Sequence, residues 1–342
     1  MTEPVDWELA AATGARLAPR GPDSSDGEAA EAVGQLRELA LQARGPVREV
    51  TQLTATTAAP VAVVDRAEWI RSNVGTFQAV TAPIAAKISP GPVHSVASRF
   101  NAVQLGVALA WMSGKVLGQF EALPPAGQQP RLLLVAPNIV SAERSMAADP
   151  RDFRMWVCLH EETHRVQFGA VAWLPDFFAG AVASLVADLD ASPAELLRRA
   201  TSGLRSTTPA ADGLPVMAML QSPEQRAVLQ RILGLMSLLE GHADWVMDNA
   251  APQVVPTAPA LRAAFETRRR GSGPIDLLFR RLLGVEAKMA QYREGARYVR
   301  IVVDRVGLTG FNQVWSSPDD LPSLAEIRSP QRWIERVHPD AA

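Results

Sequence analysis

Two histidines and a glutamate in the run His160-Glu161-Glu162-Thr163-His164 are the side chains of this sequence best suited to chemistry. The surrounding residues are typical of a helix, and histidines four positions apart on a helix lie on one face, a single turn from each other. Both imidazoles can therefore bind the same zinc ion. The helix turns Glu161 by about 100° from His160, which places its carboxylate where it can take a proton from a metal-bound water.

A zinc site of this kind needs a third protein ligand. One known pattern places it six residues after the second histidine, with a glycine halfway, but those positions hold Ala170 and Gln167. A carboxylate from a later helix is the other route, and Glu240 is the best candidate. The rival is His242, which lies two residues and roughly 200° further around the helix, so both cannot bind the metal from an undistorted helix.

The residues that follow Glu240 fit a supporting role. Asp244 is four positions away and shares its face, so it can accept a hydrogen bond from a ligand imidazole and fix the tautomer of that ring. The small side chain of Ala243 lets this helix approach the metal-binding helix, and Gly241 relieves crowding at its side. We therefore expect Asp244 to orient a ligand.

These residues predict metal-assisted hydrolysis of an amide bond, most simply a peptide bond. Glu161 is the expected general base, and it later passes the proton to the leaving amine. A further donor must stabilise the oxyanion, and the candidates are Tyr292, Tyr298 and His242. Arg165 is expected to form an ion pair rather than bind substrate.

The elements that must position these residues are mostly helices. Val61–Val64 and Arg131–Pro137 are the predicted strands, and Asp149 is the expected N-cap of the metal-binding helix, with Pro150 as its first residue. The predicted helices cover, approximately, Val5–Ala15, Gly27–Ala43, Asp65–Val80, Val93–Ala122, Pro150–Gly169, Pro175–Leu189, Pro193–Thr201, Pro223–Asn249, Ala260–Arg269, Ile275–Leu283 and Val285–Val306. The fold class is therefore mainly α with a small β element. A loop is predicted for Thr201–Leu214 and a tail of short turns for the last thirty residues.

The strand at Arg131–Pro137 is expected to lie at a sheet edge beside the metal-binding helix, where an extended substrate can pair with it. A long groove along Leu132–Val135 favours a peptide substrate, and a closed pocket favours a small amide or ester.

Composition excludes several other classes. The 342 residues are 47% hydrophobic, which is enough for a sizeable core, and the net charge of −2 gives no reason to expect nucleic acid or an acidic membrane as partner. The longest apolar stretch, Val103–Leu117, is too short and too polar for a bilayer. The N-terminus has no basic start followed by an apolar run, so a soluble cytoplasmic protein is the expectation. Cys158 is the single cysteine and is expected to be a small buried hydrophobe.

An ordered set of short motifs resembles a family of bacterial zincin-like, zinc-dependent metalloproteases over nearly the whole chain. The motifs are Val5-Asp6-Trp7, Val63-Val64-Asp65-Arg66 with Trp69, Leu117-Gly118-Gln119, Leu133 to Asn138, His160 to His164 with Gln167-Phe168, Glu240 to Asp244, Gln291-Tyr292 and Phe311 to Trp315. The resemblance implies a mainly helical zincin-like fold with HExxH on a helix and a zinc cofactor. One branch of the family is associated with biosynthesis of a deazaflavin coenzyme, although no phosphate-binding glycine loop is visible here.

On this basis we expect a single zincin-like domain over residues 1–342. Residues 1–125 would form an N-terminal helical subregion, and residues 126–342 would form the metal-binding core and the C-terminal helices. Two alternatives to the peptidase stay open: a helical binding or assembly protein with a structural metal, and a metal-dependent hydrolase of a small amide or ester. A catalytic zinc keeps one position for water, whereas a structural zinc is closed by four protein ligands.

Overall fold

The fold is mainly helical and contains one small sheet, as predicted. The computed structural model describes residues 4–56, 59–85, 94–125, 127–187, 223–270 and 285–341. The helices are α1 (Trp7–Leu17), α2 (Asp26–Gln42), α3 (Arg44–Thr51), α4 (Arg66–Ala85), α5 (His94–Ser113), α6 (Ala136–Ser145), α7 (Pro150–Ala170), α8 (Leu174–Ala187), α9 (Pro223–Val254), α10 (Ala258–Arg270), α11 (Val285–Phe311), α12 (Leu324–Arg328) and α13 (Pro330–Val337). The strands are β1 (Val61–Val64), β2 (Gly118–Phe120) and β3 (Leu132–Val135).

The chain divides into two compact units. The first comprises Met1–Pro175 and Val246–Ala264, and the second comprises Asp176–Trp245 and Phe265–Ala342. The strands β2 and β3 lie on opposite sides of residue 125 and belong to one sheet. The expected subregions on either side of that residue stay a prediction.

The sheet of the first unit has the strand order β1-β3-β2. β3 pairs in parallel with β1, with Val61 opposite Leu132, and antiparallel with β2, with Gly118 opposite Leu134. The strand predicted at Val61–Val64 is confirmed, and the strand predicted at Arg131–Pro137 is present but shorter, since Ala136 begins α6. β3 is the central strand and is fully buried, so the expectation that it forms a sheet edge is wrong.

Helix α5 ends nine residues before the predicted boundary at Ala122, and β2 was not predicted. The side-chain amide of Asn138 in α6 explains the early end. Its Nδ2 donates to the carbonyl oxygens of Ser113 and Val116, each at 2.6 Å. In a longer helix these carbonyls would accept hydrogen bonds from backbone N–H groups one turn further on. Because the Asn138 amide takes the place of those donors, the chain can leave the helix at Ser113 and enter β2.

Apolar residues at spacings of three and four predict helix α5, and most of them are exposed to solvent. Its residues Val96, Phe100, Val103 and Val107 have exposed fractions of 70, 62, 42 and 42%. The buried face instead carries Leu109 and otherwise small residues, and Gly106 lies so close to α1 that an added Cβ would stand 2.7 Å from the carbonyl oxygen of Ala10. The periodicity therefore predicted a helix correctly but did not show which face packs.

Helix α7 lies at the centre of the first unit, in contact with α2, α3, α6, β2 and β3. Arg154 anchors it through a buried ion pair with Glu143 in α6, in which its Nη2 lies 2.7 Å from Glu143 Oε1. Near the start of the helix, Asp152 Oδ2 accepts hydrogen bonds from the backbone N–H and the hydroxyl of Thr257, at 2.9 and 2.7 Å. These contacts fix α7 along its N-terminal half.

In the second unit, α9 and α11 cross at very short range. A Cβ on Gly241 would overlap the backbone of Gly295, and a Cβ on Gly295 would overlap the carbonyl of Ser237. α12 and α13 pack against α11, where the ring of Trp333 meets Tyr298 edge-on at 6.0 Å between centroids. Only glycine at both crossing positions permits this approach.

Other boundaries also differ from the prediction. α9 continues to Val254 with Pro252 inside it, and α11 continues to Phe311 through a kink at Gly307, whose φ is 73°. The tail contains the eight-residue helix α13 in addition to short turns. The predicted helices Pro193–Thr201 and Ile275–Leu283 and the loop Thr201–Leu214 lie outside the described residues.

No individual helix among the described segments has both the length and the hydropathy required to span a membrane.

Candidate metal centre

Helix α7 carries both histidines of the HExxH motif. Asp149 is its N-cap, because its side chain accepts the backbone N–H of Asp152 at 2.9 Å, and Pro150 is its first residue, as predicted. The Nε2 atoms of His160 and His164 lie 3.2 Å apart, and the two rings are perpendicular. Two nitrogens about 2.0–2.1 Å from a zinc ion at a tetrahedral angle stand roughly 3.3–3.4 Å apart, so this pair is arranged as two ligands of one ion.

Gln167 fixes the orientation of His164. Its Oε1 lies 2.9 Å from His164 Nδ1, and the Gln167 side chain is fully buried. The amide oxygen can only accept, so Nδ1 carries the proton and Nε2 keeps its lone pair for a metal. A fixed tautomer of this kind is what metal-binding histidines require.

A carboxylate completes the candidate site. The ligand atoms of His160, His164 and Glu240 all lie within 4.8 Å of one another, and each of the three residues is partly buried. Two imidazoles and one carboxylate are the protein ligands of a catalytic zinc that keeps its fourth position for water. The donor set and the spacing of these side chains therefore fit the zinc ion that the sequence predicts.

Glu161, the candidate general base, is 7% exposed and packs against β2. An added Cβ on Gly118 would stand 2.5, 2.6 and 2.8 Å from the Cγ, Cδ and Oε1 atoms of Glu161. Two residues further along β2, the ring of Phe120 stacks on Phe168 of α7 at 5.7 Å between centroids. β2 thus lies directly on the face of α7 that carries the carboxylate.

Buried polar contacts hold the rest of the motif. Arg165 Nε donates to Glu162 Oε2 at 2.6 Å, which confirms the expectation that Arg165 forms an ion pair. The hydroxyl of Thr163 donates to the carbonyl oxygen of Leu159 at 2.9 Å. Cys158 is fully buried, and burial together with the nearby Glu161 and Glu162 raises the pKa of its thiol. This confirms that Cys158 is a small core residue.

The candidate oxyanion donors have different surroundings. His242 is fully buried among the aromatic rings of Trp245, Phe311 and Trp315, with centroids 5.3–6.1 Å away. This is the environment of a core histidine and argues against a role at the edge of a cleft. Tyr298 is also fully buried, and burial, with Glu326 nearby, raises the pKa of its hydroxyl, so it too is a packing residue.

Two predicted roles stay predictions. Tyr292 belongs to α11, but its side chain lies outside the described part of the structure. Asp244 lies one turn after Glu240 on α9 and is half-buried, and its suggested hydrogen bond to a ligand imidazole stays an expectation.

Sequence reasoning did not identify the roles of Gln167 and Gly118. Gln167 stands three residues after His164, which is one helical turn, so its contact with that ring could have been deduced. The role of Gly118 could not be deduced, because a glycine in the sequence gives no sign of which distant side chain fills its space.

Comparison with known proteins gives two matches. A family model described as a zincin-like metallopeptidase matches residues 5–334. The crystal structure of a "putative hydrolase with a novel fold" from Chloroflexus aurantiacus is similar over 97% of this chain and 98% of that chain, with 28% sequence identity and a TM-score of 0.69. Comparison with curated protein sequences found no similar protein. The expected association with deazaflavin biosynthesis is not addressed by these matches.

Proposed function

This chain belongs to the zincin-like metallopeptidase family, and we propose that it is a zinc-dependent hydrolase that cleaves amide bonds, most simply peptide bonds. The observation that carries the proposal is the grouping of His160, His164 and Glu240, whose ligand atoms lie within 4.8 Å of one another. The family match and the similarity to the structure described as a "putative hydrolase" support the same class of reaction.

The chain supplies the groups that such a reaction needs. Bound zinc would lower the pKa of a water molecule toward neutrality and polarise the substrate carbonyl. His160, His164 and Glu240 would hold the ion, and Gln167 keeps the proton of His164 on Nδ1. The carboxylate of Glu161 would accept the proton of the attacking water, hold it on an oxygen and deliver it to the leaving nitrogen.

The edge strand β2, rather than β3, is suited to bind an extended substrate. Leu117 accepts a hydrogen bond from the backbone of Val135 at 2.9 Å, and the N–H of Glu121 donates to Arg131 at 2.8 Å. In an antiparallel ladder, residues 118 and 120 direct their backbone groups away from the partner strand. The carbonyl of Phe120 accepts the N–H of Ala122 at 3.0 Å, so Gly118 is the residue of β2 best suited to pair with a substrate. A peptide could add to this edge beside Glu161, which favours a peptide substrate over a small amide.

The direct test is Glu161→Gln in zinc-loaded protein, assayed with a library of internally quenched peptides and with small chromogenic amides and esters. We expect the variant to keep its zinc and lose turnover by roughly 10²- to 10⁴-fold, because general-base catalysis contributes this much. Glu31→Gln, a matched change at an exposed position of α2, should leave turnover unchanged.

Hydrolysis by Glu161→Gln at the wild-type rate would show that the proposed base is wrong. Turnover of small esters with no cleavage of peptides would favour the small-molecule hydrolase. A zinc ion held by a fourth protein ligand, with no substrate turned over, would instead favour the structural-metal alternative.

A further inference from the structure

We propose that Gly118 is a positioning residue for the general base: its missing side chain leaves the space that the Glu161 carboxyl occupies, so the backbone of β2 sets the conformation of that carboxyl. The inference rests on the proposed function, in which Glu161 is the base. It adds a residue to that site which contacts neither the metal nor the substrate through a side chain.

The first observation is that the close contacts at Gly118 come from one side chain. The three atoms nearest to an added Cβ are Cγ, Cδ and Oε1 of Glu161, at 2.5, 2.6 and 2.8 Å. Real Cβ atoms are not found this close to a neighbouring atom, so alanine at this position must displace something. The displaced group would be the Glu161 carboxyl, because it is the mobile end of a side chain whereas β2 is fixed.

The second observation is that β2 is held on three sides. β3 pairs with it in an antiparallel ladder. Gln119 exchanges side-chain hydrogen bonds with Asn73 of α4, at 3.2 and 3.4 Å, and Asn73 also donates to the backbone carbonyl of Trp69 at 2.8 Å. Phe120 stacks on Phe168 of α7. The strand therefore cannot retreat from α7 without breaking its contacts with β3, with Asn73 of α4 and with Phe168.

The alternation of side chains along β2 explains why the glycine falls at this position. Residues 118 and 120 face α7, and Gln119 faces α4. The phenylalanine at 120 fills the gap to α7 at Phe168, whereas at 118 the same gap is filled from the other side, by Glu161. A side chain at position 118 and the Glu161 carboxylate would occupy the same space, and the close packing around them leaves no room for both.

The test is Gly118→Ala, with acetohydroxamate as the probe. This small acid chelates zinc and donates a hydrogen bond to a carboxylate beside the ion, so its affinity depends on where that carboxylate lies. We expect Gly118→Ala to bind zinc as the wild type does, and to bind acetohydroxamate about tenfold more weakly, since contacting residues couple by amounts of this order. In a Glu161→Gln background the same substitution should change hydroxamate affinity by less than about twofold.

Gly75→Ala is the matched control. Gly75 lies in α4, and its added Cβ would stand 2.8 Å from Cγ of Pro125, which gives comparable crowding away from Glu161. Its hydroxamate affinity should equal that of the wild type. A loss of affinity for Gly118→Ala that is the same in both backgrounds would overturn the proposal, because Gly118 would then not act through Glu161. Wild-type hydroxamate affinity in Gly118→Ala would overturn it as well.

Thermal unfolding of the zinc-free protein tests the contact independently of zinc and of catalysis. Glu161→Ala vacates the space, so Gly118→Ala should lower the melting temperature in the wild-type background and leave it unchanged in the Glu161→Ala background. An equal decrease in both backgrounds would overturn the packing relation. If zinc-loaded wild-type protein does not bind acetohydroxamate but this thermal coupling is present, the proposed function fails while the contact between Gly118 and Glu161 stands.

Discussion

Replacing Gln167 by methionine should weaken zinc binding without unfolding the protein. The Oε1 atom of Gln167 is the acceptor for His164 Nδ1 at 2.9 Å, and the side chain is fully buried. Methionine has a similar length and no comparable acceptor. In the variant the Nδ1–H of His164 loses this acceptor, so the ring can rotate or change tautomer more easily.

Two independent considerations give the same magnitude. A buried donor left without its partner costs roughly 1–3 kcal/mol. Loss of a hydrogen bond to a ligand histidine typically lowers metal affinity by roughly 10- to 100-fold, which at about 1.4 kcal/mol per tenfold is about 1.4–2.8 kcal/mol. We therefore expect the zinc dissociation constant of Gln167→Met to rise by roughly 10- to 100-fold.

The assay is competition for zinc against a chromophoric chelator in a metal-buffered solution. Gln42→Met is the matched control, because Gln42 is an exposed residue of α2 whose amide donates to Glu38 at 2.8 Å, away from the metal-binding histidines. Gln167→Glu retains an acceptor for His164 and should bind zinc about as tightly as the wild type. Equal zinc affinity in Gln167→Met and wild-type protein would refute the orientation of His164 by Gln167.

Three further outcomes are expected. Gly241→Ala should lower the free energy of unfolding in urea by about 1–3 kcal/mol, since its Cβ overlaps the backbone of Gly295. Gly34→Ala, at an exposed helical position with open space around it, should raise that free energy by roughly 0.5–1 kcal/mol, and equal effects of the two changes would contradict the crossing geometry. Burial by itself raises the pKa of Glu326, but hydrogen bonds from Arg336 and Ser323 outweigh it and hold the pKa below its usual value. A lowered folded-state pKa stabilises the protein above the unfolded pKa, so the stability advantage of the wild type over Glu326→Gln should be present near neutral pH and be lost as the pH falls through the folded-state pKa of Glu326. A difference that grows in acid would contradict this.

The metal-binding helix could be predicted because its signals are local. Asp149 and Pro150 mark the start of α7, and the four-residue spacing of His160 and His164 alone places both imidazoles on one face. Glu240 was selected by its chemistry, as a carboxylate on an apolar helix, because no local pattern can show which distant side chains meet.

The strand β2 could not be predicted from periodicity. The three residues Gly118, Gln119 and Phe120 are too few to show a period, and the partner of β2 lies beyond Pro124 and Pro125 in the sequence. The end of α5 likewise depends on the side chain of Asn138, twenty-five residues after Ser113. Contacts between residues this far apart in the sequence determine where helices and strands end when local propensity does not.

The exposed apolar residues of α5 show a second limit of sequence-based prediction, which is the choice of the helix face that packs. A helical spacing of apolar residues reveals a face, but packing also depends on how closely the backbones can approach. Gly106 and Gly14 allow α1 and α5 to meet on the face of small residues, and an added Cβ on Gly14 would stand 3.2 Å from the carbonyl oxygen of Gly106. Close backbone packing therefore occurs on the face of smaller residues and not on the face that carries the larger apolar side chains.

The most direct measurement of the metal site is the zinc content of purified, dialysed protein, for the wild type and for Glu240→Ala. We predict one zinc ion per chain in the wild type and a small fraction of one in Glu240→Ala, matching the loss in His160→Ala, with circular dichroism unchanged. Full zinc occupancy in Glu240→Ala would contradict the account, because the two histidines of α7 would then be completed by a different ligand.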